Sequence, residues 1–220
     1  MSIDLINLKK YTAIIGCDEV GRGPIAGPVN ACAVKIDESN LEFINLMKKL
    51  NVTDSKKLTT KKREIILSEL GIVTSKIKLN RVYHKKYKNH SYRFCVTEHT
   101  HLDIDQMNIL QASLSAMKKA SDKLVTKKDI VLIDGNKTFT SIADVEAIVK
   151  GDSKSIAIGL ASIIAKNFRD EKMHHYDLKF PGYNLGKHAG YPTKEHRDAI
   201  KKLGITEIHR KTFKGVKEYI

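Results

Sequence analysis

No stretch of the 220 residues approaches the run of about 18 apolar side chains that a membrane-spanning helix requires. A helical membrane channel, receptor or transporter is therefore excluded. The opening residues, MSIDLINLKK, lack the basic-then-apolar order of a secretory signal, so the expectation is a cytoplasmic protein with no membrane partner. Cysteine is scarce: Cys17, Cys32 and Cys95 form an odd set without CxxC spacing. That argues against a disulfide framework or a thiolate zinc site and leaves buried free thiols. Internal repeats and low-complexity linkers are missing as well, and the length suits one domain over residues 1–220. Acids are outnumbered, 25 Asp and Glu against 39 Lys and Arg, for a formal net charge of +14. Such an excess favours nucleic acid or another polyanion as partner. It is densest in residues 76–90, KIKLNRVYHKKYKNH, which contain no acid.

Apolar periodicity divides the rest of the chain. Tyr11–Cys17 and Val29–Ile36 read as strands flanking a Gly/Pro loop, and Ile72–Leu79, Asp129–Ile133 and Val145–Val149 as further strands. Thr60–Leu70 predicts a helix stopped by Gly71, and Asp105–Leu124 one amphipathic helix. Ser155 to about Tyr176 predicts a long helix rich in small residues, against which another element must pack closely. Gly182–Tyr191 is loop-like, and Thr193–Leu203 a short charged helix. Strands alternating with helices imply an α/β class, with a mixed central sheet flanked by helices and a small helical part over roughly residues 180–220.

Within this frame the loop GCDEVGRGPIAG (residues 16–27) places Asp18 and Glu19 beside Gly21, Arg22 and Gly23. A phosphate-binding loop does not fit. The glycines are not spaced GxGxxG, Pro24 removes a backbone donor, a strand follows, and the two acids would repel a phosphate. A carboxylate cluster on a basic surface instead suits divalent metal: the acids hold Mg²⁺ or Mn²⁺ against a scissile phosphate while the basic surface holds the polynucleotide. Asp134, ending one apolar segment, and Asp152, preceding the small-residue helix, are the partners for such a site. Two metals there can activate water and stabilise the leaving oxygen.

The sequence also resembles a known family. Residues 18–24, DEVGRGP, are similar to the signature of type 2 ribonucleases H, in particular ribonuclease HII. In the same order follow Asp54-Ser55-Lys56-Lys57-Leu58, Asn108-Ile109-Leu110 with Ala116-Met117, Leu132-Ile133-Asp134-Gly135, and Lys150-Gly151-Asp152 with Ser155. The series ends in ASIIAK (161–166), Arg169-Asp170, PGY (181–183), His188, Gly190-Tyr191, Thr193, His196 and His209-Arg210. Arg22 between its glycines, Asp152 as fourth acid and the short segment before the first motif resemble ribonuclease HII rather than HIII.

The resemblance implies an RNase H-like fold and a four-carboxylate catalytic and metal site, Asp18, Glu19, Asp134 and Asp152. It implies hydrolysis of the RNA strand in RNA/DNA hybrids and incision 5′ of single ribonucleotides in duplex DNA, as in ribonucleotide excision repair and replication. The ends would be 3′-hydroxyl and 5′-phosphate. Gly21, Arg22 and Gly23 would read the 2′-hydroxyl, which distinguishes RNA from DNA, and Tyr191 would stack on the neighbouring deoxyribose. Ser55, Lys56 and Lys57 suit phosphate contacts. Lys166 and Arg169 share a helix face and would touch the nucleic-acid backbone or brace the acids. His209 and Arg210 are placed near the product side. The segment of about residues 77–101 departs from the family pattern and is expected to be a solvated insertion. A monomer is expected, and the tail FKGVKEYI offers no docking motif for a sliding clamp. On the residues alone two other readings stay open: a same-fold nuclease with another substrate, and a catalytically silent nucleic-acid-binding module.

Overall fold

The computed structural model describes residues 3–220; Met1 and Ser2 lie outside the described residues. β1 (Ala13–Val20) and β2 (Val29–Asp37) pair antiparallel across the Gly/Pro loop. β3 (Val82–Tyr87) and β4 (His90–His99) form a hairpin that joins β2 through β4. β5 (Ile130–Asp134) lies parallel to β1, and β6 (Asp144–Ile148) parallel to β5. The result is a mixed six-stranded sheet of order β3-β4-β2-β1-β5-β6.

Its central strands are apolar on both faces because helices cover both. Side chains alternate: Ile14, Cys32, Val34, Phe94 and Leu132 point to one core, and Ile15, Cys17, Ala31, Ala33 and Ile133 to the other. The second core is closed by Ala116, Met117 and Ala120 of helix α5, and the first by the long helix α6. All three cysteines are buried free thiols in these strands.

In chain order the helices are α1 (Ile3–Asn7), α2 (Leu41–Lys49), α3 (Thr60–Glu69), α4 (His101–Met107), α5 (Ile109–Asp122), α6 (Ile156–Lys179), α7 (Leu185–His188) and α8 (Lys194–Leu203). The small residues of α6 meet β1. A Cβ on Gly16 would lie 2.2 Å from the Ala157 carbonyl carbon, so helix and strand backbones touch where only glycine fits. α7, α8 and the C-terminal residues gather round a separate core of Ile25, Ala26, Met173, Tyr183, Leu185, Ile200, Ile208 and Val216. Ile25 and Ala26 belong to the Gly/Pro loop, so that loop is packed into the C-terminal part. Among the described residues no helix is long and apolar enough to cross a membrane.

Three sequence expectations are corrected. Ile72–Leu79 is not a strand: Ile72 and Ile77 are buried while Val73 is exposed, and a 3₁₀ turn (Thr74–Lys76) occupies the middle. The helix expected over Asp105–Leu124 is two helices. Asn108 takes φ 69° between them, and its side chain accepts hydrogen bonds from the Leu110 and Gln111 amides to start α5. Residues 77–101 are not a solvated insertion, because they contain the β3–β4 hairpin, and Tyr92, Phe94, Cys95 and Val96 of β4 are buried in the sheet. The lysines of β3 conceal this pattern.

Candidate active site

Two parallel strands position the first acids. Cys17 of β1 is registered with Ile133 of β5, so Asp18 and Asp134 stand side by side one residue further on, on strands about 4.8 Å apart. Asp152 arrives from the 3₁₀ turn Gly151–Ser153 between β6 and α6. Carboxylate oxygens of Asp18, Asp134 and Asp152 lie within 4.8 Å of one another, and among the described residues these acids form a group with metal-ligand spacing. One oxygen on each of the strand acids is fixed by backbone: the Glu19 amide donates to Asp18 Oδ1 (2.7 Å) and the Gly151 amide to Asp134 Oδ1 (2.7 Å). Glu19 stands at the rim, 3.6 Å from the Arg22 guanidinium.

The electrostatics are those of crowded, dehydrated anions. Burial, then the charges of Glu19 and Asp134, push the Asp18 carboxyl well above the usual range. Burial also raises Glu19, against the pull of Arg22. Asp152 rises to about 6 through burial and the neighbouring Asp134 and Asp54. The Lys56 pKa is raised too: although burial lowers it, Asp18, Asp54, Asp152 and Asp134 together lift it above the normal value by favouring the ammonium. The donor set is all carboxylate oxygen, which suits a hard divalent cation such as Mg²⁺ or Mn²⁺, and a bound cation would offset the burial and mutual repulsion that lift Asp18, Glu19 and Asp152. Asp18, Asp134 and Asp152 would hold it, with Glu19 adjacent.

The glycine loop and Tyr191 meet. Gly21 has φ 97°, and a Cβ on Gly23 would lie 3.1 Å from the Tyr191 ring. The Ile25 amide donates to the Gly190 carbonyl (2.9 Å), and Tyr191 is exposed beside the loop. Arg22, Lys56 and Lys57 are also exposed.

The other expected contacts are engaged within the protein. Arg169 is only 1% exposed and cannot reach a phosphate; its guanidinium donates to the carbonyls of Pro28, Ala26 and Ala189. Arg210 and His209 are fully buried, so neither stands on a product surface. The Ser55 hydroxyl is turned inward and accepts from Ser162 Oγ (2.9 Å). Lys166 pairs with Asp170, one turn along α6.

Two features escaped the sequence reading. Asp4 of α1 is buried and accepts from Ser155 Oγ and the Ile156 amide, both at 2.6 Å, anchoring the start of α6 just after Asp152. No sequence signal tied Asp4 to residues so distant. The second is a histidine relay behind Tyr191. The Thr206 amide donates to His209 Nδ1 (2.8 Å), so the His209 proton sits on Nε2 and is donated to His196 Nε2 (3.1 Å). His196 then carries its proton on Nδ1 and donates to the Tyr191 carbonyl (3.0 Å). His188 stacks on His196, ring centroids 4.5 Å apart. The presence of His188, His196 and His209 in the motif series is the available signal.

The family profile described as Ribonuclease HII matches residues 15–216. A ribonuclease HII of Vibrio vulnificus is 42% identical over 209 residues, covering 94% of this chain and 89% of its own. Among solved structures, ribonuclease H2 from Pyrococcus horikoshii OT3 superposes with a TM-score of 0.69 at 26% identity, over 94% of this chain and 96% of that one. Bst-RNase HIII in complex with Mn²⁺ shares the fold, with a TM-score of 0.62 at 17% identity over 99% and 71% of the two chains. With this sheet, this acid cluster and these matches along nearly its whole length, the chain belongs to the ribonuclease HII family of type 2 ribonuclease H endonucleases.

Proposed function

We propose that the protein hydrolyses the RNA strand of RNA/DNA hybrids and incises on the 5′ side of a single ribonucleotide in duplex DNA, leaving 3′-hydroxyl and 5′-phosphate ends, with two divalent ions in the carboxylate site. The observation that carries this reading is one juxtaposition. The Asp18–Asp134–Asp152 cluster opens beside a glycine loop packed against the exposed Tyr191 ring.

Each part has a role on this reading. Asp18 and Asp134 each have one oxygen tied to a backbone amide, which fixes the direction of the other. Ions held there supply an activated water and offset charge on the leaving oxygen. No protein nucleophile is needed on this reading, and the Cys17 thiol beside Asp18 is buried, with its pKa raised by burial and by Asp18. Lys56, drawn toward the acids, takes a phosphate oxygen of the bound strand, and Arg22 and Lys57 add charge at the rim. The bare backbone of the glycine loop lets the strand approach closely enough for a 2′-hydroxyl to be read. Tyr191 covers the next sugar with its ring.

The test uses end-labelled DNA duplexes with one embedded ribonucleotide, run with Mg²⁺, with Mn²⁺ and with EDTA, beside the Asp18→Asn variant. A metal-dependent cut 5′ of the ribonucleotide, abolished in the variant, is the expected result. Cutting restricted to long hybrids would undo the role given to the loop and Tyr191, and binding without any cutting would overturn the enzymatic reading.

A further inference from the structure

Two arginines lie wholly inside the protein with no carboxylate in ion-pair distance among the described residues: Arg169 of α6 and Arg210 near the C-terminus. Burying a cation without a counter-ion is costly, and here backbone carbonyls compensate, joined for Arg210 by the Phe213 ring, whose centroid lies 5.0 Å from the guanidinium carbon. Arg210 donates from Nη2 to Gly21 O (2.6 Å) and Pro28 O (3.1 Å), from Nη1 to Arg22 O (3.0 Å), and from Nε to Gly27 O (2.9 Å). Arg169 takes Pro28 O (2.9 Å), Ala26 O (3.3 Å) and Ala189 O (3.1 Å). Every carbonyl but one belongs to the loop between β1 and β2, and the exception lies two residues before Tyr191. Arg169 Nε has no acceptor and packs under Gly21, where a Cβ would lie 2.6 Å away. Burial, and for Arg210 the adjacent Arg169 charge, lower the two guanidinium pKa values to about 10 and about 9.

The geometry has a directional consequence. Across a trans peptide the C=O and the next N–H point opposite ways, and no peptide in the described chain is cis. With the Gly21 and Arg22 carbonyls drawn inward by Arg210, the amides of Arg22 and Gly23 face outward. Neither has an acceptor among the described residues. The loop is thereby turned into a pair of outward donors whose position is set from below.

Resting on the substrate reading above, we infer that Arg169 and Arg210 are positioning residues: Arg210 holds the Arg22 and Gly23 amides outward, Arg169 ties the far end of the loop to the segment before Tyr191, and together they set how selectively the enzyme recognises a single ribonucleotide. Lysine keeps the charge but cannot span several carbonyls as the guanidinium fork does.

The test compares wild type, Arg210→Lys and Arg169→Lys on a duplex with one ribonucleotide and on a long RNA/DNA hybrid. A long hybrid offers a ribonucleotide in every register, so a loosened loop still finds a productive complex; the single site offers one. Cutting of the single-ribonucleotide duplex should fall about 10²-fold in a folded lysine variant, with a much smaller loss on the hybrid. Mn²⁺ binding, read by titration calorimetry, should match wild type. If the wild type itself does not cut the single-ribonucleotide duplex, the substrate reading fails and the selectivity role with it. If wild type cuts and a folded Arg210→Lys keeps the wild-type ratio between the substrates, the positioning role alone is refuted. Should Arg210→Lys not fold, Arg169→Lys decides by the same ratio; failure of both to fold overturns the inference in favour of a purely structural role.

Discussion

Acid should unlock the C-terminal part of this protein through the His196–His209 relay, and the size of the effect follows from how far burial depresses the two rings. Each ring nitrogen of the pair is already committed. His209 Nδ1 accepts from the Thr206 amide, the two Nε2 atoms share one proton, and His196 Nδ1 serves the Tyr191 carbonyl. A further proton on either ring would set two donors against each other. Burial holds both pKa values down at about 4, with the nearby His188 lowering His196 and His196 lowering His209. Unfolded, each titrates near 6.5. Folded pKa values below unfolded ones mean that the unfolded chain binds more protons as pH falls. Stability is therefore unaffected above about pH 6.5 and lost between there and about pH 4, at up to about 1.4 kcal/mol per pH unit for each histidine. From pH 7.5 to 5 the pair accounts for about 4 kcal/mol, or a fall of about 8–16 °C in Tm for a chain of this size. Asp18, Glu19 and Asp152, raised above their ordinary values, act in the opposite sense. The measurement is thus a difference: urea unfolding in EDTA at both pH values, for wild type and for His209→Gln. The variant should be less stable at pH 7.5 yet lose much less on acidification. Equal pH dependence in the two proteins would refute the argument.

Three further outcomes are expected. Gly16→Ala forces a methyl into the Ala157 backbone, 2.2 Å from its carbonyl carbon; overpacking here should cost about 3 kcal/mol or more, read by urea unfolding. Asp4→Ala removes the acceptor for Ser155 Oγ and the Ile156 amide and should cost about 2–3 kcal/mol, with a weaker affinity for Mn²⁺ by calorimetry because Asp152 precedes that helix start. Tyr191→Ala removes the ring that covers the sugar and should lower incision at a single ribonucleotide by up to about 10²-fold through lost positioning, whereas Tyr191→Phe keeps the ring beside Gly23 and most of the rate, as gel assays on the labelled duplex would show.

The strands that carry the acids were legible because they are buried on both faces and end at polar residues: YTAIIGC and DIVLI need no tertiary information to be read as core strands. The small residues of α6 likewise announced a close neighbour, which proved to be Gly16. What sequence pattern could not supply was partnership at a distance. Arg169 shares a helix face with Lys166 on spacing grounds, yet its side chain turns inward because the carbonyls of the glycine loop lie there. Arg210 looked like a surface cation for the same reason: charge predicts exposure unless acceptors wait inside. Asn108 divided α4 from α5 through a local hydrogen-bonding choice that a smooth apolar periodicity masks. Strand β4 was hidden by its neighbour, since the bases of β3 dominate the composition of the hairpin while Phe94 and Val96 face the core.

That hairpin has one more consequence, for how the protein behaves in a crowded solution. β3 is an outer strand of the sheet, with a row of backbone groups left open to pair with another chain. His84 and Lys86 project exposed from it, Arg81 and Lys88 flank it, and it carries no acid. A second copy approaching edge to edge would bring the basic side chains of Arg81, Lys86 and Lys88 against their own kind. The bases of residues 76–90 thereby act as a guard against sheet-to-sheet aggregation, a task that needs no nucleic acid at all.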